Sequence, residues 1–321
     1  MSDRPARFLE DVLAEPESLG HVLDVYGRDG GPLAALDLAG IRSVRFVGMG
    51  SSRFAAMPAA SLIRAAGRDA AAERASAAES TPSAPDVLAV CVSAGGTTAE
   101  TLSVAERHAG TSRVVAVTNE PESALAGAAN VVLPLEAGDE HGGVACRTYQ
   151  ATVAVLLLLA GRIVARDLSA ELEQAVAAAA ELRDGRERWL DRALEVLGGR
   201  LATIAPEERQ CTAEQAALVF REGPRIAADA CETGDWSHVD VYLTRRPGYR
   251  ALLFAGSRHD ADVVDWLRRR GGAFVAVGED VDGAALTVPH GAHGSLAALI
   301  CETTVSDLLA AEMWRRALTD A

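Results

Sequence analysis

Two short turns carry the residue types that hold an anion. Residues 93–98 read S-A-G-G-T-T and follow the apolar run Val87–Val92, and residues 48–52 read G-M-G-S-S and follow Ile41–Val47. Each gathers hydroxyls and unhindered backbone N–H groups at the carboxyl end of a strand-like run, just ahead of a helical pattern. Phosphate is held at such places by N–H dipoles and the positive helix end. Either turn alone reads equally as an ordinary connection, with Gly for tight φ/ψ and Ser or Thr as the helix cap. Two of them on neighbouring strands favour an anion site. A dinucleotide fingerprint is excluded because Arg53 stands where G-x-G-x-x-G needs its third Gly, and the G-K-[ST] triplet of a P-loop is absent.

A second constellation is Arg221-Glu222-Gly223-Pro224, followed by Glu232-Thr233-Gly234-Asp235-Trp236-Ser237-His238. Glu222 closes a helical pattern that Gly-Pro cuts off. A carboxylate there opposes the helix dipole, which suits a group with another task such as proton transfer. The bland alternative is a solvated helix-end Glu and a loop His. His21, His108, His141, His259, His290 and His293 show no metal-ligand spacing. His290-x-x-His293 lies in a Gly-rich stretch rather than on a helix face, so no metal site is expected.

These residues need a scaffold. The chain has 321 residues, 49% hydrophobic and 24% charged, enough for two domains. Strand patterns at 41–47, 70–75, 87–92, 114–118 and 131–135 alternate with helical ones at 54–66, 97–108, 123–129 and 145–166. That order implies parallel βαβ units, doubly wound. A helical segment with a break at Pro16 covers 8–26, and a Gly-rich turn follows at 27–32. Residues 168–197 read as one bridging helix. Beyond it strands at 201–204, 251–255, 273–277 and 285–288, with helices at 212–222, 260–270 and 296–318, repeat the first order more weakly.

Net charge is −14, and every cationic side chain is Arg because the sequence holds no Lys. The acidic balance argues against nucleic acid and anionic membranes as partners. Five cysteines without a C-x-x-C pair suggest a reducing compartment. The opening MSDRPARFLEDVL is too charged for a signal peptide, and the longest apolar run, Ala151–Gly161, is too short to span a bilayer. A cytoplasmic location is expected.

The motifs together resemble the double SIS (sugar isomerase) domain family, which includes the isomerase half of glucosamine-6-phosphate synthase and free-standing phosphosugar isomerases, deaminases and deglycases. The segment E-D-V-L-A-E-P-E-S-L is similar to the family's helical opening. Gly48–Ser52 resembles its G-x-G-[ST]-S turn, and Ser93–Thr98 its S-Q-S-G-E-T phosphate loop. Val114–Asn119 is similar to its A-I-T-N strand end, and Arg221–His238 to the segment ending in G-E-x-x-H-G-P.

The resemblance implies an α/β fold of two tandem SIS (flavodoxin-like) repeats, each a doubly wound parallel sheet flanked by helices. Its divisions would be an N-terminal helical segment (1–30), a phosphosugar-binding SIS domain (31–167), the bridging helix (168–197) and a second SIS domain with a C-terminal helix (198–321). It implies that Ser51 and Ser52 contact a phosphosugar, that Ser93 and Thr98 bind phosphate oxygens with the N–H groups of Ala94 and Gly95, and that Glu222 is the base moving a proton between C1 and C2. His238 would assist ring opening from the partner subunit of a homodimer with shared active sites. No cofactor is implied, and without a glutaminase half no use of glutamine. The chain departs from the family at Ala94 and Gly95, where two polar side chains are lost. Val219 or a neighbour stands for the helix Lys, and Val239-Asp240 for Gly-Pro. With no Lys a Schiff base between enzyme and sugar is impossible, so proton transfer would pass through an enediol or enediolamine generated by a carboxylate base. The expected function is isomerisation, deamination or deglycation of a phosphorylated sugar or amino sugar. The alternative is a non-catalytic sugar-phosphate sensor or partner subunit.

Overall fold

Apolar runs bounded by Gly and hydroxyl residues form strands buried between helices. The computed structural model describes residues 3–27, 31–198 and 200–319; the Gly-rich turn expected at 27–32 lies largely outside them. The first elements are α1 (Arg4–Leu13), α2 (Glu15–Tyr26), β1 (Ser43–Gly48), α3 (Ser51–Ala65), β2 (Asp69–Arg74) and β3 (Val87–Val92). After these come α4 (Ala99–His108), β4 (Arg113–Thr118), α5 (Ala124–Gly127), β5 (Val131–Pro134) and α6 (Arg147–Val164). The chain goes on through α7 (Ser169–Asp184), α8 (Leu190–Leu197), β6 (Leu201–Ala205), α9 (Gln210–Glu222), β7 (Ala228–Glu232) and α10 (Thr233–Trp236). It ends with β8 (Arg250–Phe254), α11 (Asp260–Arg270), β9 (Ala273–Val277), β10 (Leu286–Val288) and α12 (Ser295–Thr319).

Two compact units result. One comprises Glu17–Asp139 and Arg147–Glu173, and its parallel sheet has the order β2-β1-β3-β4-β5. Every residue of the central strand β3 is buried, as a parallel sheet covered on both faces requires. The chain leaves β1 for β2 and returns to β3 on the other side. The carboxyl ends of β1 and β3 therefore flank the topological switch point, where open α/β sheets bind ligands. Helix α6 is apolar and long enough to cross a membrane by composition, but 78% of it is buried inside this fold, and it packs on α3.

The other unit comprises the residues up to Pro16, Glu140–Cys146 and Gln174 onward. Its parallel sheet has the order β10-β9-β8-β6-β7. Counted from its own first strand this is again 2-1-3-4-5, so the two sheets share one topology. The N-terminal helix belongs here. Helix α1 packs on α12, with the Phe8 and Trp314 rings 6.2 Å apart. The Asp11 carboxylate accepts the N–H groups of His141 and Gly142 at 2.8 and 2.7 Å.

Three element readings need correction. The N-terminal helical break falls at Ala14, not Pro16, because Pro16 occupies the first turn of α2, where its missing N–H costs no hydrogen bond. Residues 168–197 are not one helix. A 3₁₀ turn at Arg186–Arg188 separates α7 from α8 after Gly185, and Trp189 turns inward to become buried. Strand β7 went unread because Ala-Asp-Ala-Cys-Glu is short, mostly small or acidic and lies on the sheet edge.

Candidate functional site

The two hydroxyl-rich turns meet at the switch point of the first sheet. Parallel pairing of β1 with β3 sets Val47 against Cys91, so Gly48–Ser52 and Ser93–Thr98 leave adjacent strands side by side. Gly48 is required by packing, since a Cβ there would lie 2.8 Å from the Ser52 Cβ. Gly50 has φ +48°, and α3 begins directly after it with Ser51 and Ser52. Both serines are half-buried. Neither side chain has a partner among the described residues.

The second turn is held from beneath. The Ser93 N–H donates to Val117 O, and the carbonyl of Ala94 accepts both the Asn119 N–H and the Thr118 hydroxyl. Gly96 has φ +62°, and a Cβ there would collide with the Ser123 side chain. The Gly96 N–H returns to Ser93 O, and its carbonyl accepts Leu125 N–H. These bonds leave the N–H groups of Ala94 and Gly95 without an acceptor among the described residues, and Gly95 is exposed. The buried Ser93 hydroxyl lies 3.0 Å from that of Thr98. Thr98 is the N-cap of α4, yet its side chain caps no helical N–H. Two N–H dipoles, a hydroxyl pair and a helix N-terminus are thus assembled as an anion cradle. Thr118, Asn119 and Ser123, which shape it, were missed as supporting residues. The Thr118-Asn119 pair at the end of β4 was the available signal.

Glu222 and His238 lie in the other unit. Glu222 is the last residue of α9. Gly223 follows because a Cβ there would press on Val219 O at 3.2 Å and the Trp314 ring at 3.3 Å. The half-buried Glu222 carboxyl is pushed above the ordinary carboxylate range by desolvation, with Arg225 and Arg221 pulling the other way. A shift in that direction is the one expected of a carboxylate that takes and returns a proton. Val219, at the family's Lys position or beside it, is fully buried in the core. His238 is exposed. The turn behind it is anchored by the buried Trp236, whose Nε1–H donates to the Tyr249 hydroxyl at 2.9 Å. No hydrogen bond or ion pair joins Glu222 to His238 among the described residues.

The matching turn of the second sheet is already filled. After β8 the N–H groups of Gly256 and Ser257 donate to the Asp260 carboxylate at 2.7 and 3.0 Å. An internal carboxylate thus takes the place that an anion would occupy. Beside it the buried Arg209 donates to Glu302 and to Ala255 O. His290 Nε2 lies 3.3 Å from the same Glu302 oxygen. The S-x-x-D spacing of Ser257 and Asp260 was the legible sign of this plug.

Residues 37–162 match the family described as SIS domain. Among curated proteins the chain is 32% identical over 185 residues to a glutamine–fructose-6-phosphate aminotransferase (isomerizing) of Aeropyrum pernix, a match spanning 54% of this chain and 30% of that protein. The C-terminal domain of glucosamine-fructose-6-phosphate aminotransferase from Francisella tularensis superposes with a TM-score of 0.84 at 17% identity, over 97% of this chain and 96% of that one. Tagatose-6-phosphate ketose/aldose isomerase from Escherichia coli superposes with a TM-score of 0.82 at 14% identity, over 98% and 93% of the two chains. At such identities the structures speak for the fold alone. The segment that matches the SIS domain, residues 37–162, spans the sheet whose strand ends bear both hydroxyl-rich turns.

Proposed function

We propose that the chain is an enzyme acting on a phosphorylated sugar or amino sugar, and that it moves a proton between C1 and C2. The observation carrying this reading is the cradle after β3, where the N–H groups of Ala94 and Gly95 stand open beside the Ser93–Thr98 hydroxyl pair. Phosphate is the ligand chemistry such a cradle suits, with Ser51 and Ser52 contributing from the adjacent turn. The names of the Aeropyrum and Escherichia proteins, both concerned with hexose 6-phosphates, support the substrate class.

In this mechanism the Glu222 carboxylate removes the proton from the carbon next to the carbonyl. The electron pair of that C–H bond forms the C1–C2 double bond of an enediol or enediolamine, and the carbonyl oxygen or imine nitrogen takes up a proton. Glu222 then returns its proton to the neighbouring carbon, and the hydroxyl on the carbon first deprotonated gives up its proton as the new C=O forms, balancing the proton taken up earlier. His238 of the partner subunit assists at the ring oxygen or leaving amine, which makes the working form a homodimer. No lysine Schiff base between enzyme and sugar plays a part, because the chain has no Lys. The second sheet is read as a further SIS repeat from its identical strand order. With Asp260 filling its turn, one phosphosugar binds per chain.

A binding protein without catalysis is the second reading. It is favoured by Ala94 and Gly95, which bring no side-chain donors, and by the apolar Val219. Proton NMR of hexose 6-phosphates in deuterated water separates the two. Catalysis replaces the C2 proton with deuterium in the wild type and not in Glu222→Gln. Binding without exchange in any substrate establishes the sensor, and absence of binding removes both readings.

A further inference from the structure

At the opposite end of the second sheet, around the amino ends of β6 and β8, lies a cavity of about 220 Å³. The 3₁₀ turn Asp240–Arg245 and the residues Arg246–Gly248 close it. It is separate from the turns that follow the strands, and neither the SIS match at 37–162 nor the phosphosugar reading uses it. Its walls are largely apolar, formed by Leu201, Leu243, Pro247 and Tyr249. Tyr249 is held in place by the hydrogen bond from Trp236 and by an edge contact with that ring at 6.3 Å. The wall is therefore formed in advance of any ligand, and binding need not order it.

Two charges of opposite sign line this cavity without an ion-pair partner among the described residues. Asp240 is half-buried. Burial pushes its carboxyl above the usual range and repulsion from Asp229 and Asp235 adds to this, while the nearby Cys231 thiol and the Arg200 charge pull the other way. Arg246 stands at the exposed mouth, and its guanidinium makes no hydrogen bond among the described residues. Arg200 is already engaged with Asp229 at 2.5 Å, and Arg250 donates to Tyr249 O at 3.0 Å. An ammonium group supplies a counter-charge to Asp240, the carboxylate on the same carbon one to Arg246, and the apolar side group lies against Leu201, Leu243, Pro247 and Tyr249. The volume is below the roughly 300 Å³ at which drug- and cofactor-sized sites begin, which suits one small metabolite.

We propose that this cavity binds a small zwitterion with an apolar side group, of the class of branched or aromatic α-amino acids. Titration calorimetry of the full chain tests it with L-leucine, L-isoleucine, L-methionine and L-phenylalanine. The single-charge controls are 3-phenylpropanoate and phenethylamine. One amino acid per chain is expected, bound at least about tenfold more tightly than either control. Asp240→Asn should weaken it about tenfold or more, and Arg246→Ser severalfold. Leu243→Trp, which fills the cavity, should abolish it. Asp240→Asn relieves a buried charge, so its melting temperature should not fall, and it decides the matter should the Trp variant fail to fold. The proposal is overturned if no amino acid binds at millimolar concentration, if the controls bind equally, or if binding survives Asp240→Asn. Because no turnover is measured, its failure would leave the phosphosugar reading standing.

Discussion

The hydroxyl of Ser93 lies 3.0 Å from that of Thr98, joining the first and last residues of the turn that follows the central strand. The same turn leaves the Ala94 and Gly95 N–H groups without an acceptor among the described residues. Ser93→Ala and Thr98→Ala each remove one donor to a charged ligand, an interaction of about 1.5–3 kcal/mol. Affinity for glucose 6-phosphate or fructose 6-phosphate should fall roughly ten- to hundredfold by calorimetry. Affinity for the unphosphorylated sugars should not change. Equal losses for both forms would remove phosphate from the role of this turn.

Gly96 combines a left-handed backbone, φ +62°, with a close approach to Ser123. Gly96→Ala should cost about 2–4 kcal/mol, from αL strain and overpacking together. Urea denaturation would show it as a lowered midpoint at unchanged m-value. Combining it with Ser123→Gly should recover part of the loss. A melt identical to wild type would contradict the packing described for this turn.

Glu222 titrates above the ordinary carboxylate range because burial penalises its charged form. As a base it must be ionised, so the acidic limb of the kcat/KM profile should be displaced upward from the usual Glu value. The stability effect has the opposite sense. A raised carboxyl pKa means that the folded state binds the proton more tightly, so stability falls as pH rises from the unfolded to the folded pKa. Glu222→Gln should therefore melt at or above the wild-type temperature at neutral pH. The difference should vanish below the unfolded pKa, where both side chains are neutral. A variant that melts lower at neutral pH would mean that the charged form is stabilised in the fold.

Arg209 and Glu302 form a buried ion pair beside the turns of the second sheet, with side chains 8% and 0% exposed. Arg209→Met leaves the buried Glu302 with His290, 3.3 Å away, in place of its arginine, which should cost about 3–5 kcal/mol in urea unfolding. Arg209→Met with Glu302→Gln should restore most of it. If the single variant unfolds like wild type, the pair is not buried in solution.

Local patterns made much of this fold legible. Strand β3 at Val87–Val92, helix α11 at Asp260–Arg270 and strand β9 at Ala273–Val277 lie where apolar runs and Gly boundaries place them. Hydrophobic periodicity and turn chemistry are properties of a few consecutive residues and survive any tertiary arrangement. The same holds for the hydroxyls at 93 and 98, whose spacing around two glycines announces an anion-type turn. Where packing overrode local preference the reading failed. Trp189 was drawn into the core and broke the helix expected over 168–197. Edge strand β7 is held by its pairing with β6 rather than by its own residues.

The sequence by itself determined that the chain is α/β, which turns carry hydroxyls, and that no lysine Schiff base to the sugar can form. Only the tertiary structure decided that the β8 turn is filled by its own Asp260, that Glu222 is desolvated, and that α1 packs on α12, nearly the full length of the chain away. Each of these depends on which groups are brought together out of water. Burial and hydrogen-bond competition arise between residues distant in the chain, so no local stretch encodes them.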